Sequence, residues 1–147
     1  MQPIPLKTSR LLFLYVTATQ LLLPGILFAV RKPVPDNVQL GRTLAYVAVG
    51  MLTVVLALVQ VVRGQVVSWA KENADEVLAT VKEEKIPGRV HGLVLMQAAM
   101  LELVALVAGL ALFLGAQREL AALPLTTFVM SLWVMPTVGS LERMVQD

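Results

Sequence analysis

Gly92–Gln117 reads GLVLMQAAMLELVALVAGLALFLGAQ. It carries one charge, Glu102, and no Lys or Arg. A helix needs about 20 mostly apolar residues to cross a bilayer, and this run is long enough. Three further stretches read the same way: Leu11–Val30, Thr43–Val62 and Leu120–Leu141, each free of charge. Together the four take more than half of the 147 residues. Lipid offers no partner to an open backbone, so helices or closed barrels are the only spanning forms. These runs are continuous rather than alternating, which selects helices. The expected fold is all-α: a polytopic membrane protein of four transmembrane helices arranged as two hairpins, in a single membrane domain covering residues 1–147.

Composition agrees. Hydrophobic residues make up 57% of the chain and charged residues 15%, with mean hydropathy +0.76. Soluble domains sit near about 45–50% apolar and about 25% charged. A chain this short has too much surface to hide so much apolar side chain from water, so lipid is the expected partner. The absence of cysteine removes disulfides, thiolate metal sites and a cysteine nucleophile. One histidine cannot build a multi-histidine metal site. A net charge of +2 is too weak for a nucleic-acid partner. No cofactor is expected, because no phosphate loop or catalytic triad appears.

The first run is longer than the apolar region of a signal peptide, and Arg31-Lys32 follow it directly, so it reads as a retained anchor. Orientation follows the basic residues. Eight lie at the two termini and in the middle loop, and four lie in the first and third loops. Both termini are therefore expected on the cytoplasmic side of a plasma or cell inner membrane.

Gly64–His91 is the one long polar segment. Val66, Val67, Ala70, Ala74, Val77, Leu78 and Val81 recur at helical spacing. A cytoplasmic helix is expected over 65–84, running on from the second span, since a lone Gly64 need not stop it. Pro87-Gly88 ends it. Its apolar stripe could lie on its own bundle or on lipid headgroups, with Trp69 as an interfacial anchor, or it could dock a second chain.

The halves look alike. Ile4-Pro5 precedes the first span and Ile86-Pro87 the third. Gln20 lies 15 residues after the first proline and Glu102 lies 15 after the second. Internal duplication explains this. So does the ordinary tendency of proline to start helices.

Glu102 is the candidate site. A carboxylate at mid-span costs roughly 2.5–3.5 kcal/mol on insertion scales. It is expected to face protein or water and to be neutralised by a proton or a small cation. Ala98, Ala99, Ala105 and Gly109 share its helix face, a small-residue strip where another helix can come close. In the first span, Gln20 and Thr17 share a face with Pro24. That proline has no N–H, so the Gln20 carbonyl loses its helical donor. Glu102, Gln20 and Thr17 are the expected ion-binding set, and Ala98, Ala105 and Gly109 the expected packing set. Structural hydrogen bonding between Glu102 and Gln20 is the competing reading. Pro124 and Pro136 are expected to interrupt the fourth span.

The stretch Leu101–Leu114, LELVALVAGLALFL, resembles the carboxylate helix of rotary ATPase c-type proteolipids. The small size, four spans and paired hairpins are similar to the vacuolar-type members, in which one hairpin keeps its acid. The resemblance implies an ion-carrying Glu102 in a homo-oligomer, or in a complex with other membrane subunits. It departs from the family in placing the acid in the first helix of its hairpin and in the long middle segment. An accessory subunit that packs its helices in a larger complex is the alternative. Microsomal-type glutathione transferases also have this size and span number. However, His91 stands with Arg89 alone and no span carries an Asn, so His91 reads as a satisfied interfacial residue and the chain as a non-enzyme.

Overall fold

The computed structural model describes residues 2–30, 37–116, 118–134, 141–143 and 145. The chain is mostly helical. A short strand, β1 (Ile4–Pro5), leads into α1 (Leu6–Ala29). Then come α2 (Val38–Glu72), α3 (Ala74–Lys82), a second short strand β2 (Lys85–Ile86) and α4 (Gly88–Phe113). A 3₁₀ turn (Arg118–Ala121) precedes α5 (Ala122–Val134). α1, α2 and α4 are each long and apolar enough to cross a membrane.

The repeated Ile-Pro signal has a direct structural meaning. Pro5 and Pro87 both stand at the N-caps of their helices with nearly the same backbone angles, φ −54°, ψ 131° and φ −56°, ψ 132°. Before them the two strands pair antiparallel, Ile4 against Ile86. Residues 82 apart therefore meet each other here, and Ser9 and His91 do so again one turn into the helices. α1 and α4 start side by side and run in the same direction. This two-stranded clamp is a feature that the all-α expectation lacks.

The likeness of the halves does not extend to the packing. α2 lies along α4 rather than along α1, and α5 lies against both α4 and α1. Consecutive helices α1 and α2 thus do not pack together as the first expected hairpin, among the described residues. α4 is the central helix: 44% of its apolar window is buried, against 22% for α1 and for α2. Its inner face is lined by Ala98, Ala105, Ala108, Gly109 and Ala111, all buried. Small side chains let neighbouring backbones approach, which is how apolar helices gain dispersion contact where water drives nothing. Val55 and Val59 of α2 close on Leu101 and Val104 of α4. Leucines and tyrosines on the outside, such as Leu22 and Tyr46, are exposed, as lipid-facing residues of a spanning bundle would be.

Both ends of α4 are locked by backbone hydrogen bonds. Gly115 takes φ 96°, the left-handed region that suits glycine. Its N–H donates to the Leu112 carbonyl and that of Ala116 to the Ala111 carbonyl, which caps the helix in a Schellman turn. α4 therefore stops at Phe113, short of the expected 117. The turn sits tightly against α2, where a Cβ on Gly41 would lie 3.1 Å from three backbone atoms of residues 111–116.

α2 runs through Gly64 as expected, for 35 residues, about 52 Å at the helical rise. That exceeds the roughly 30 Å of a hydrocarbon core. It stops at Asn73, where the Trp69 carbonyl accepts both the backbone N–H at 3.1 Å and the side-chain amide at 2.9 Å and the backbone leaves the helix at φ −120°, ψ 37°. The helix expected over 65–84 is thus two pieces with a break at Asn73. Val77 and Val81 of α3 pack into a cluster with Val66, Ala70, Ile86 and Val90. Val66, Ala70, Val77 and Val81 of the apolar stripe are covered by its own bundle, while Val67, Ala74 and Leu78 are partly exposed.

The fourth span is the least regular. Its described helix holds 13 residues, about 20 Å, too short to cross alone. Pro124 does not interrupt it. The residue lies in the first turn of α5, where a missing N–H leaves no bond unmade. Gln117 and Pro136 lie outside the described residues.

Candidate functional site

Glu102 lies halfway along α4, half-buried on the seam with α1. Its partner is Thr19, whose Oγ1 lies 2.5 Å from Glu102 Oε1. The same hydroxyl lies 2.6 Å from the carbonyl oxygen of Val16. A threonine hydroxyl has one proton to donate. The hydroxyl is shared between the two acceptors, so Thr19 ties the Glu102 carboxyl to the backbone of α1.

The seam opens outward. Tyr15, Leu22 and Leu23, one turn either side of Thr19 on α1, are exposed, and so is Ala99, one turn before Glu102. On the inner side Ala98, Leu101 and Ala105 are buried. The carboxyl therefore stands at the edge of the bundle with an apolar surround. Among the described residues no group of three or more His, Cys, Asp or Glu could hold a metal ion.

The other expected members of the site lie elsewhere. Gln20 is wholly buried and faces α5. Its amide donates to Ser131 Oγ at 2.8 Å and to the Ala98 carbonyl at 3.3 Å, and Ser131 Oγ lies 3.2 Å from Gln20 Oε1. Thr17 is buried beside it, and its hydroxyl has no hydrogen-bond partner among the described residues. The structure thus joins Glu102 to Thr19, and Gln20 to Ser131. It does not join Glu102 to Gln20 or Thr17 by a hydrogen bond. Thr19 went unread because it lies about 100° around the helix from Gln20.

The packing residues are placed as the small-residue strip implies. Ala98, Ala105 and Gly109 are all buried, and a Cβ on Gly109 would lie 2.9 Å from both Cα and Cβ of Pro24. α1 and α4 are in direct contact at this point. Pro24 thus serves as a contact point as well as a broken hydrogen bond.

At the end of the bundle where α1 and α4 begin, His91 is buried and its Nδ1 lies 2.7 Å from Ser9 Oγ. Two arginines stand over tryptophan rings at the same end, Arg89 over Trp69 at 5.7 Å and Arg63 over Trp133 at 5.3 Å. Trp with Arg or Lys is the usual composition of a membrane–water boundary. No protein-family model, curated protein or solved structure matches this chain.

Proposed function

We propose that this chain is an integral membrane subunit in which Glu102 carries a proton at mid-membrane depth, a non-catalytic role of the kind that proteolipids perform. The observation that carries the reading is the one charged side chain in the apolar stretch of α4, half-buried halfway along the helix and bonded to the Thr19 hydroxyl of α1. A proton is favoured over a metal cation for a second reason. A hard cation takes about six to eight oxygens, and among the described residues the hydrogen-bonded contacts at Glu102 add only Thr19 Oγ1 and the Val16 carbonyl to its own carboxyl oxygens.

On this reading α1, α2, α4 and the α5 segment form four spans, with both termini cytoplasmic by the distribution of Lys and Arg. The halves are the product of a duplication in which the second copy holds the acid and the first an amide. The outward-facing carboxyl suits exchange with lipid-side partners: further copies of the chain or other membrane subunits. A purely architectural role is the second reading, and the Gln20–Ser131 pair favours it, because a buried neutral pair of this kind ties helices without moving charge.

Infrared spectroscopy separates the two. A protonated carboxyl has a C=O stretch distinct from that of carboxylates. The expected spectrum near neutral pH contains one such band, absent in Glu102→Gln. Identical spectra in this region from both proteins would refute a protonated Glu102.

A further inference from the structure

Beside the first turns of α1 lies a half-open cavity of about 310 Å³, lined by Leu6, Lys7, Arg10, Leu11 and Glu84. Its chemistry is mixed in a specific way. Two cations and one carboxylate stand around it, with leucines at the floor and wall. Leu11 is 60% exposed and lies one turn further into the apolar stretch than Lys7.

Three observations bear on what fits there. The cavity opens at the end of the bundle that carries the Arg89–Trp69 and Arg63–Trp133 pairs, at the level of a headgroup layer. The first turn of α1 has neither a side-chain cap nor an acidic residue, so its positive end adds to Lys7 and Arg10. Glu84 is held at φ 53°, the one described non-glycine residue in the left-handed region, with its carbonyl accepting the Leu6 N–H at 2.8 Å. Glycine is the usual occupant of such a helix-ending position. That backbone position holds Glu84 on the lip of the cavity, beside the first turn of α1.

We infer that this cavity binds the headgroup of a zwitterionic aminophospholipid, a phosphoethanolamine diester. Lys7 takes the phosphate oxygens, the Glu84 carboxylate takes the primary ammonium, and the acyl chains run down past Leu11. A choline headgroup presents no N–H to Glu84. A glycerol headgroup brings the phosphate but no cation. The inference rests on the membrane-spanning reading above, though not on the protonation of Glu102.

The test uses the full chain in mild detergent, with thermal unfolding followed after adding phosphatidylethanolamine, phosphatidylcholine or phosphatidylglycerol of matched chains. Phosphatidylethanolamine is expected to raise Tm by several degrees more than either of the others. Glu84→Gln, which keeps the backbone and size but removes the charge, should bring its effect down to that of phosphatidylcholine. Lys7→Gln should diminish the shifts for all three. Water-soluble glycerophosphoethanolamine should give a smaller shift than the lipid, and an equal one would overturn the lipid assignment. Equal shifts from the ethanolamine and choline lipids, or a Glu84→Gln protein that still prefers ethanolamine, would overturn the site. An alkaline wash of the membranes beforehand separates this from the parent reading. A chain that washes off is not membrane-spanning, whatever lipid it prefers. A chain that stays while showing no preference fails this inference alone.

Discussion

Replacing Gly109 by leucine is expected to destabilise the bundle by about 3 kcal/mol, the upper end of what overpacking a close-packed site costs. The reason is the contact with Pro24. A single added carbon at Gly109 would already lie 2.9 Å from Pro24 Cα and Cβ, and a pyrrolidine ring cannot rotate out of the way. Leucine adds three more carbons in the same direction, so α1 must move off α4. The Thr19–Glu102 pair, one to two turns back along the same seam, would separate with it. Thermal unfolding in detergent should show a fall in Tm of roughly 10 °C. Gly50 is the control, because nothing lies within 4 Å of a Cβ placed there. Gly50→Ala should be neutral or slightly stabilising, as expected for alanine in an open helical position. A Gly109→Leu protein as stable as the parent would mean that α1 and α4 do not cross at Pro24.

The second large effect concerns Glu102. Glutamine at 102 keeps an oxygen that accepts from Thr19 Oγ1, so Glu102→Gln should be nearly as stable as the parent. Glu102→Ala removes the acceptor and should lose about 1–2 kcal/mol, the range for a hydrogen bond between membrane helices. The functional effects should run differently: both variants lack an exchangeable proton, and any proton-coupled activity of the assembled subunit should vanish in both. Loss of activity in the alanine variant alone would mark Glu102 as a structural tie.

The three long helices were legible because each rests on about 20 uninterrupted apolar residues, a signal that neighbouring chain cannot override. Their ends were less so. The stop at Asn73 is a backbone turn, φ −120° and ψ 37°, which its side chain accompanies by bonding back to the Trp69 carbonyl, and asparagine carries that option at many positions where it is not used. Gly115 was visible as a glycine, but its capping role depends on the following Ala116 bonding back to residue 111. Glu102 was legible as the one charge in its span. Its partner was not, because equivalence between repeats was read as contact. The clamp of Ile4 on Ile86 and the meeting of Ser9 with His91 show matched residues touching near the ends of the helices. Farther along, α1 and α4 are offset, so Gln20 turns inward to Ser131 while Thr19 reaches Glu102. That offset depends on where Pro24 meets Gly109, a contact between residues 85 positions apart that no local pattern encodes.

The most direct measurement is labelling of native membranes with a lipid-soluble carbodiimide, followed by peptide mapping. Such a reagent reacts with a carboxyl that is both protonated and open to lipid, the state proposed for Glu102, which stands half-buried at an outward-facing seam beside Thr19. The expected result is a single major adduct on Glu102, formed near neutral pH, slowed as pH is raised and absent from Glu102→Gln. Adducts confined to the exposed acids of the middle segment, Glu72, Asp75, Glu76 and Glu83, with Glu102 unmodified, would contradict a protonated carboxyl facing the lipid.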